Sequence, residues 1–323
     1  MKAESRDRVV GISISNSPDL SQLGYGEEHL HELMISIART LLRLGSPEQP
    51  VHLAYGGDLR PGGFTETLFD LARAETQAGR QGRLYSYLAW PYYLGLSKSD
   101  EAQRLNICHF LRITPAEAGL PEFAADTAPE ALSDEPRGLL TARCISRLRE
   151  AMTTGGSERI DGRPAPPLAA RVILGGKTSG YTGIMPGIFE EFMLAQERNV
   201  PIYIAGGFGG ASAALADAVL DSSSTLPAAL SLDYQRENSA GLAALEQQYL
   251  EDPEAEAPRA RYDRLSRAVA DYRTALEQPR RTPPLAANGL DRPENARLMR
   301  SQNVTEITGL IERGLRRLGF GAD

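Results

Sequence analysis

Cysteine is nearly absent from this chain of 323 residues: Cys108 and Cys144 are the only two, far apart and without the paired spacing of a zinc site or a disulfide framework. Two reduced, buried thiols are the expectation. No apolar run approaches the roughly 18 residues that a membrane helix needs, and the opening MKAESRDRVV carries no secretory-leader pattern. A cytoplasmic protein without membrane attachment is expected. Positive charge is outweighed by negative. The chain has 35 Lys and Arg against 42 Asp and Glu, a formal charge of −7, whereas nucleic-acid and membrane-surface binders depend on dense Lys and Arg. The four histidines, His29, His31, His52 and His109, show neither the i, i+4 spacing of HExxH nor nearby cysteines, so no metal site is expected. His52 and His109 fall inside apolar runs and read as packed residues. No G-x-S-x-G precedes a helical pattern, which removes the nucleophile elbow of acyl-transfer enzymes.

What the chain does have is a series of short apolar runs, each ending in turn residues. Residues 9–15 (VVGISIS), 51–55 (VHLAY), 83–90 (RLYSYLAW), 106–113 (NICHFLRI), 171–174 (RVIL) and 201–205 (PIYIA) read as strands buried on both faces. Burial on two faces belongs to parallel sheets. Between them, residues 27–44, about 65–74, 138–153 and the stretch MPGIFEEFMLAQERN from Met185 carry helical periodicity. The alternation predicts an α/β fold, Rossmann-like and doubly wound, with a mainly parallel sheet.

Turn-rich loops follow four of these strands, three of them glycine clusters. In an open α/β sheet, ligands bind at the carboxyl ends of the strands, and free N–H groups at helix starts favour anions. The candidate ligand-binding residues are therefore Ser15 and Asn16 after the first run, Gly56, Gly57, Asp58 and Arg60 after the second, Gly175, Gly176, Lys177 and Gly187 after the fifth, and Gly207 and Gly209 after the sixth. Arg60 can clamp a phosphate through its planar fork, Asp58 can accept ribose hydroxyls, and Lys177 can pair with phosphate. The aromatic group Trp90, Tyr92 and Tyr93 lies near a strand end, where rings either stack on a base or pack the loop.

The stretch GGKTSGYTGIMPGIFEE followed by PIYIAGGFGGAS resembles the SLOG superfamily, which takes in Smf/DprA proteins, LOG phosphoribohydrolases, and ligand-sensing domains of TRPM channels and bacterial antiphage effectors. The resemblance covers roughly residues 8–220 and is nearest to the sensing domains of antiphage systems. It implies binding of a nucleotide or NAD-derived, ADP-ribose-like signal, no cofactor, and output through a separate effector protein. The LOG pattern PGGxGTxxE, laid over GIMPGIFEE, keeps Gly187 and Glu191 but not the first three positions or the threonine. The alternative that this likeness implies is hydrolysis of the N-glycosidic bond of a nucleoside monophosphate, with Glu191 as the catalytic carboxylate. Adjacent Glu190 and Glu191 lie roughly 100° apart on a helix, so at most one faces the crevice.

After Leu220 no apolar β-run recurs, and the chain divides into a nucleotide-binding domain, 1–220, and a helical C-terminal extension, 221–323, packed on it. Helical patterns occupy about 239–250, 260–277 and 304–318, with charged or Pro-rich breaks at 251–262 and 278–286. The last helix carries the stripe Val304, Ile307, Leu310, Ile311 and Leu315, available either to the core or to a homo-oligomer contact. Residues 114–136, rich in Pro, Ala and acids, read as an exposed excursion.

Overall fold

In the computed structural model, which describes residues 8–157, 163–221, 225–252, 255–278 and 286–321, six parallel strands form one sheet. They are β1 (Arg8–Ser15), β2 (Val51–Gly56), β3 (Leu84–Ala89), β4 (Cys108–Ile113), β5 (Leu168–Gly175) and β6 (Ile202–Ala205), in the spatial order β4-β3-β2-β1-β5-β6. All six predicted runs are strands. The reason is visible in their burial: every residue of β3 and of β6 is buried, as is β2 up to Gly56. Strands covered on both faces are continuous apolar runs, and such runs stand out in a sequence.

Helices α1 (Glu27–Leu44), α2 (Phe64–Gln77) and α3 (Lys98–Arg104) carry the chain from β1 out to β4. The sequence then returns through α4 (Asp134–Thr154) to β5, beside β1, and continues through α5 (Gly187–Glu197), β6 and α6 (Gly210–Leu220). The winding direction reverses between β1 and β5, and the loops leaving these two neighbours diverge there. Helices α1 and α2 pack on each other, as do α4 and α5. The thiols behave as expected: Cys108 in β4 and Cys144 in α4 are buried and free, and burial pushes the Cys144 thiol up to about 12.

Residues 225–321 add α7 (Leu232–Asn238), α8 (Leu242–Glu251), α9 (Pro258–Glu277), α10 (Arg292–Arg300) and α11 (Val304–Arg317). Helix α9 lies along α5 and α6, α10 lies on β6, and α11 lies on α1. The tail also completes the sheet's edge. The Tyr272 hydroxyl and the Asn288 amide donate to the Ile202 carbonyl of edge strand β6 (2.9 and 2.8 Å), and the Tyr203 hydroxyl donates back to the Asn288 carbonyl (2.7 Å). An edge so covered offers no template for pairing with another chain. The breaks expected at 251–262 and 278–286 and the loop 155–167 fall partly outside the described residues.

The structure decides one open alternative and adds detail to another reading. The stripe on α11 is core: Ile307, Leu310, Ile311 and Leu315 are all buried, so it supplies no face for a homo-oligomer. The excursion 114–136 is largely exposed, as expected, and is anchored where Trp90 Nε1 donates to the Thr127 carbonyl (2.9 Å) and the Tyr93 hydroxyl to the Ala125 carbonyl.

Helices α10 and α11 are joined by Glu294, which accepts from Arg313 and Arg317 (2.9 and 2.6 Å) and, within a capping box, from the Asp291 N–H (3.0 Å). Burial pushes its carboxyl up, but these donors outweigh burial and hold it at about 2, below the ordinary 4.5. A depressed folded-state pKa stabilises above the unfolded value and is lost as pH falls through the folded one. The stability difference between wild type and Glu294→Gln is therefore expected to be full above pH 4.5 and to shrink toward zero near pH 2, as read by urea denaturation across that range. In the same assay Leu310→Ala, which empties a core position, is expected to cost about 2–5 kcal/mol.

Candidate functional site

At the carboxyl ends of β1, β2 and β5 lies a cleft of about 270 Å³, closed on one side by α4 and the start of α5. Of the predicted ligand residues it brings together Ser15, Asn16, Gly56, Gly57, Asp58, Arg60, Lys177 and Gly187, with Glu191 in its wall. Tyr92 also lines it, whereas Trp90 and Tyr93 are committed to the excursion described above.

Gly175, Gly176, Gly207 and Gly209 lie outside the cleft, and each has a packing reason to be glycine. Gly175 and Gly176 hold φ of 61° and 103° where β5 leaves the sheet, and a Cβ on Gly176 would sit 2.5 Å from Ile188 Cγ1. A Cβ on Gly207 would sit 2.0 Å from the Ser301 carbonyl oxygen, where the segment after α10 crosses. Gly209 precedes α6, and the free N–H of Gly210 donates to Asp19 Oδ1 (2.8 Å). The helix terminus expected to meet a ligand's phosphate thus meets a carboxylate of its own chain.

The path from β5 to α5 differs from a tight glycine turn. Residues 176–186 intervene as a loop, with Pro186 as the N-cap of α5. Among the described residues, the backbone N–H groups of 178–184 donate to no backbone acceptor. Of these residues, Gly180, Tyr181 and Thr182 line the cleft.

Below the cleft sits Arg171 on β5, with 0% of its side chain exposed. Its Nη1 donates to Ser13 Oγ (2.7 Å) and to Glu191 Oε2 (2.5 Å), and its Nη2 to Thr153 Oγ1 (2.9 Å), while the Ser13 hydroxyl itself donates to Glu191 Oε2. Burial pulls the Arg171 pKa below the ordinary arginine range, and the Glu191 carboxylate opposes that shift. Strands β1 and β5 and helices α4 and α5 all meet on this one guanidinium. Both contacts to Glu191 use Oε2, and among the described residues Oε1 has no hydrogen-bond partner.

Glu190 faces away from the cleft. It is 3% exposed and accepts from Arg149 of α4 and from Arg261 of α9 (2.8 Å). Burial pushes the Glu190 carboxyl up, and the two guanidinium groups outweigh it and hold it below the ordinary carboxylate range. Arg149 also lines the cleft, an assignment that sequence reasoning misses because an arginine beside the apolar face of α4 carries no motif. Gly187 is what admits it: a Cβ there would lie 2.6 Å from Arg149 Nη2.

The charges of the cleft are mostly neutralised within the chain. Arg60, 77% exposed, pairs with Asp58 (2.7 Å), Arg171 with Glu191, and Arg149 with Glu190. Lys177 makes no ion pair among the described residues, and its N–H donates to Ser15 Oγ (3.3 Å).

Residues 4–298 match the family described as SLOG cluster2. The chain belongs to that family. The match continues past residue 220 and takes in α7 through α9 and nearly all of α10. No curated protein and no solved structure matches the chain. Membership supports a Rossmannoid, nucleotide-related domain, and among the described residues no helix is long and apolar enough to cross a membrane.

The Arg171 cluster is testable through stability. Arg171→Leu leaves the Glu191 carboxylate without its guanidinium and is expected to cost about 3–5 kcal/mol in urea denaturation. Adding Glu191→Leu removes both charges and is expected to recover most of that loss. A double variant no more stable than the single one would show that packing, rather than the stranded charge, sets the cost.

Proposed function

We propose that this SLOG protein binds a nucleotide or an NAD-derived, ADP-ribose-like signalling ligand in the cleft between β1 and β5, and passes the signal to a separate effector protein. The observation that carries this reading is Lys177, which makes no ion pair among the described residues, beside Gly180, Tyr181 and Thr182, which line the cleft and whose N–H groups donate to no backbone acceptor. These groups suit phosphate, while Tyr92 supplies a ring at the same cleft for a base. Thermal shift and calorimetry against AMP, GMP, cyclic dinucleotides and ADP-ribose isomers test it. At least one is expected to bind, and Lys177→Ala to weaken it about tenfold, the loss of one charge-assisted hydrogen bond. Stabilisation by none of them, with the protein folded, rejects the reading.

One observation favours a second reading. Glu191 is the glutamate of the adjacent pair that reaches the cleft, held through Oε2 with Oε1 unoccupied. A carboxylate so held can position a water or stabilise a ribose cation, the chemistry of N-glycosidic hydrolysis. Incubation with AMP, GMP, CMP and NAD followed by chromatography detects free base. If the cleft is hydrolytic, Glu191→Gln lowers base release by about 10²- to 10⁴-fold while binding persists. Tight binding with no base released leaves the sensor reading alone.

A further inference from the structure

The loop from β5 to α5 forms one wall of the cleft, through Lys177, Gly180, Tyr181 and Thr182. Among the described residues, residues 178–184 make no backbone–backbone hydrogen bond, as donor or as acceptor. What holds them is a set of side chains from the helices after residue 220. Gln235 of α7, which is fully buried, donates from Nε2 to the Thr178 carbonyl (2.9 Å) and to the Ala229 carbonyl (2.6 Å), while its Oε1 accepts from Ser239 Oγ (3.1 Å). The Tyr262 hydroxyl of α9 donates to the Ile184 carbonyl (3.4 Å), and the Tyr181 hydroxyl lies 3.4 Å from it. Every hydrogen bond to residues 178–184 among the described residues comes from this side.

These contacts link the loop to the helices behind it. A buried amide that uses its nitrogen twice and its oxygen once cannot lose a partner without stranding a donor, which costs more than the bond itself contributes. The positions of Thr178 and α7 are thereby coupled. Tyr181 spans the boundary, since it lines the cleft while its hydroxyl meets α9. Helix α9 reaches the opposite wall as well. Arg261, next to Tyr262, donates to Glu190 Oε1 (2.8 Å), and Glu190 Oε2 holds the cleft-lining Arg149. One helix thus grips both the loop and the α4–α5 side, although no described residue after 220 lines the cleft.

Resting on the reading of the cleft as the ligand site, we propose that α7 and α9 are its transmitting element. Gln235 and Tyr262 are positioning residues: they set the arrangement of residues 178–184, and a cleft occupant that shifts the loop shifts α7 and α9 in turn, as linkage requires.

A nitroxide on Ser179→Cys in the full chain reads the loop, since the native Cys108 and Cys144 are buried and do not compete for the label. Tyr262→Phe keeps the ring and removes the hydroxyl, and it is expected to raise the mobile fraction of the spectrum roughly 2- to 10-fold, the weight of a neutral hydrogen bond. Gln235→Leu is expected to do the same. Tyr272→Phe is the control on the same helix, for its hydroxyl bonds to Ile202 rather than to the loop, and it is expected to leave the spectrum unchanged. No change in Tyr262→Phe overturns the proposal, as does an equal change in Tyr272→Phe, which marks a general loosening of α9. Hydrogen exchange with saturating AMP or ADP-ribose is the second arm: slower exchange of α7 and α9 amides is expected in wild type and not in Tyr262→Phe. Binding with no change in α7 and α9 overturns the coupling and leaves the ligand site in place. Failure of both probes to bind counts against the cleft reading and not against the positioning role, which the nitroxide spectra decide. Should Gln235→Leu not fold, Tyr262→Phe decides alone.

Discussion

Arg171 is a charged side chain without access to water; its Nη1 and Nη2 groups find acceptors, while its Nε–H has no hydrogen-bond partner among the described residues and is a desolvation cost that the fold carries. The acceptors come from three different elements: Ser13 on β1, Thr153 at the end of α4 and Glu191 on α5. These are the elements that bound the cleft. β1, the end of the returning helix and α5 are thereby tied to β5 through one buried guanidinium. A buried ion pair is a poor source of net stability, because desolvation offsets most of the attraction. Its value here is positional: Glu191 is presented to the cleft in one orientation.

That orientation settles the place of its neighbour. With Glu191 turned inward, Glu190 projects from the other side of α5, where Arg149 and Arg261 bind one oxygen each. Arg261 belongs to α9, so the C-terminal helices are tied to the same short segment of α5 that carries the cleft carboxylate. The helices after residue 220 are thereby part of the cleft's support, in keeping with a family match that runs to residue 298.

Much of the fold was legible because a parallel sheet writes itself as uninterrupted apolar runs, and α1 as an amphipathic helix from Glu27 to Leu44 closed by Gly45 and Pro47. Short helices were not. Helix α3 has no buried residue and α7 spans seven, too few turns for periodicity to register. Helix α10 did carry a signal, Asp291 with Glu294 three residues on and Pro293 between them, which is a capping box. At the cleft, residues adjacent in sequence were found and partners distant in sequence were missed. Glycine marks close approach without saying what approaches: Gly187 admits Arg149 from α4, Gly207 admits Ser301, and the N–H after Gly209 is taken by Asp19. Only the fold supplies those neighbours.

The charge pattern of the cleft follows from the same economy of cations. A chain with a formal charge of −7 has no long-range field to draw in an anion, and its cleft arginines are already paired with Asp58, Glu190 and Glu191. Under the proposed nucleotide reading, attraction is local, through Lys177 and backbone donors that act only at hydrogen-bond distance. Such a site reads shape and donor geometry rather than total negative charge. A highly charged polyphosphate gains little there over a compact ligand whose few phosphate oxygens match the loop, because each extra charge meets Asp58 and Glu27 on either side. Selectivity among ligands of equal charge is the property that this arrangement favours.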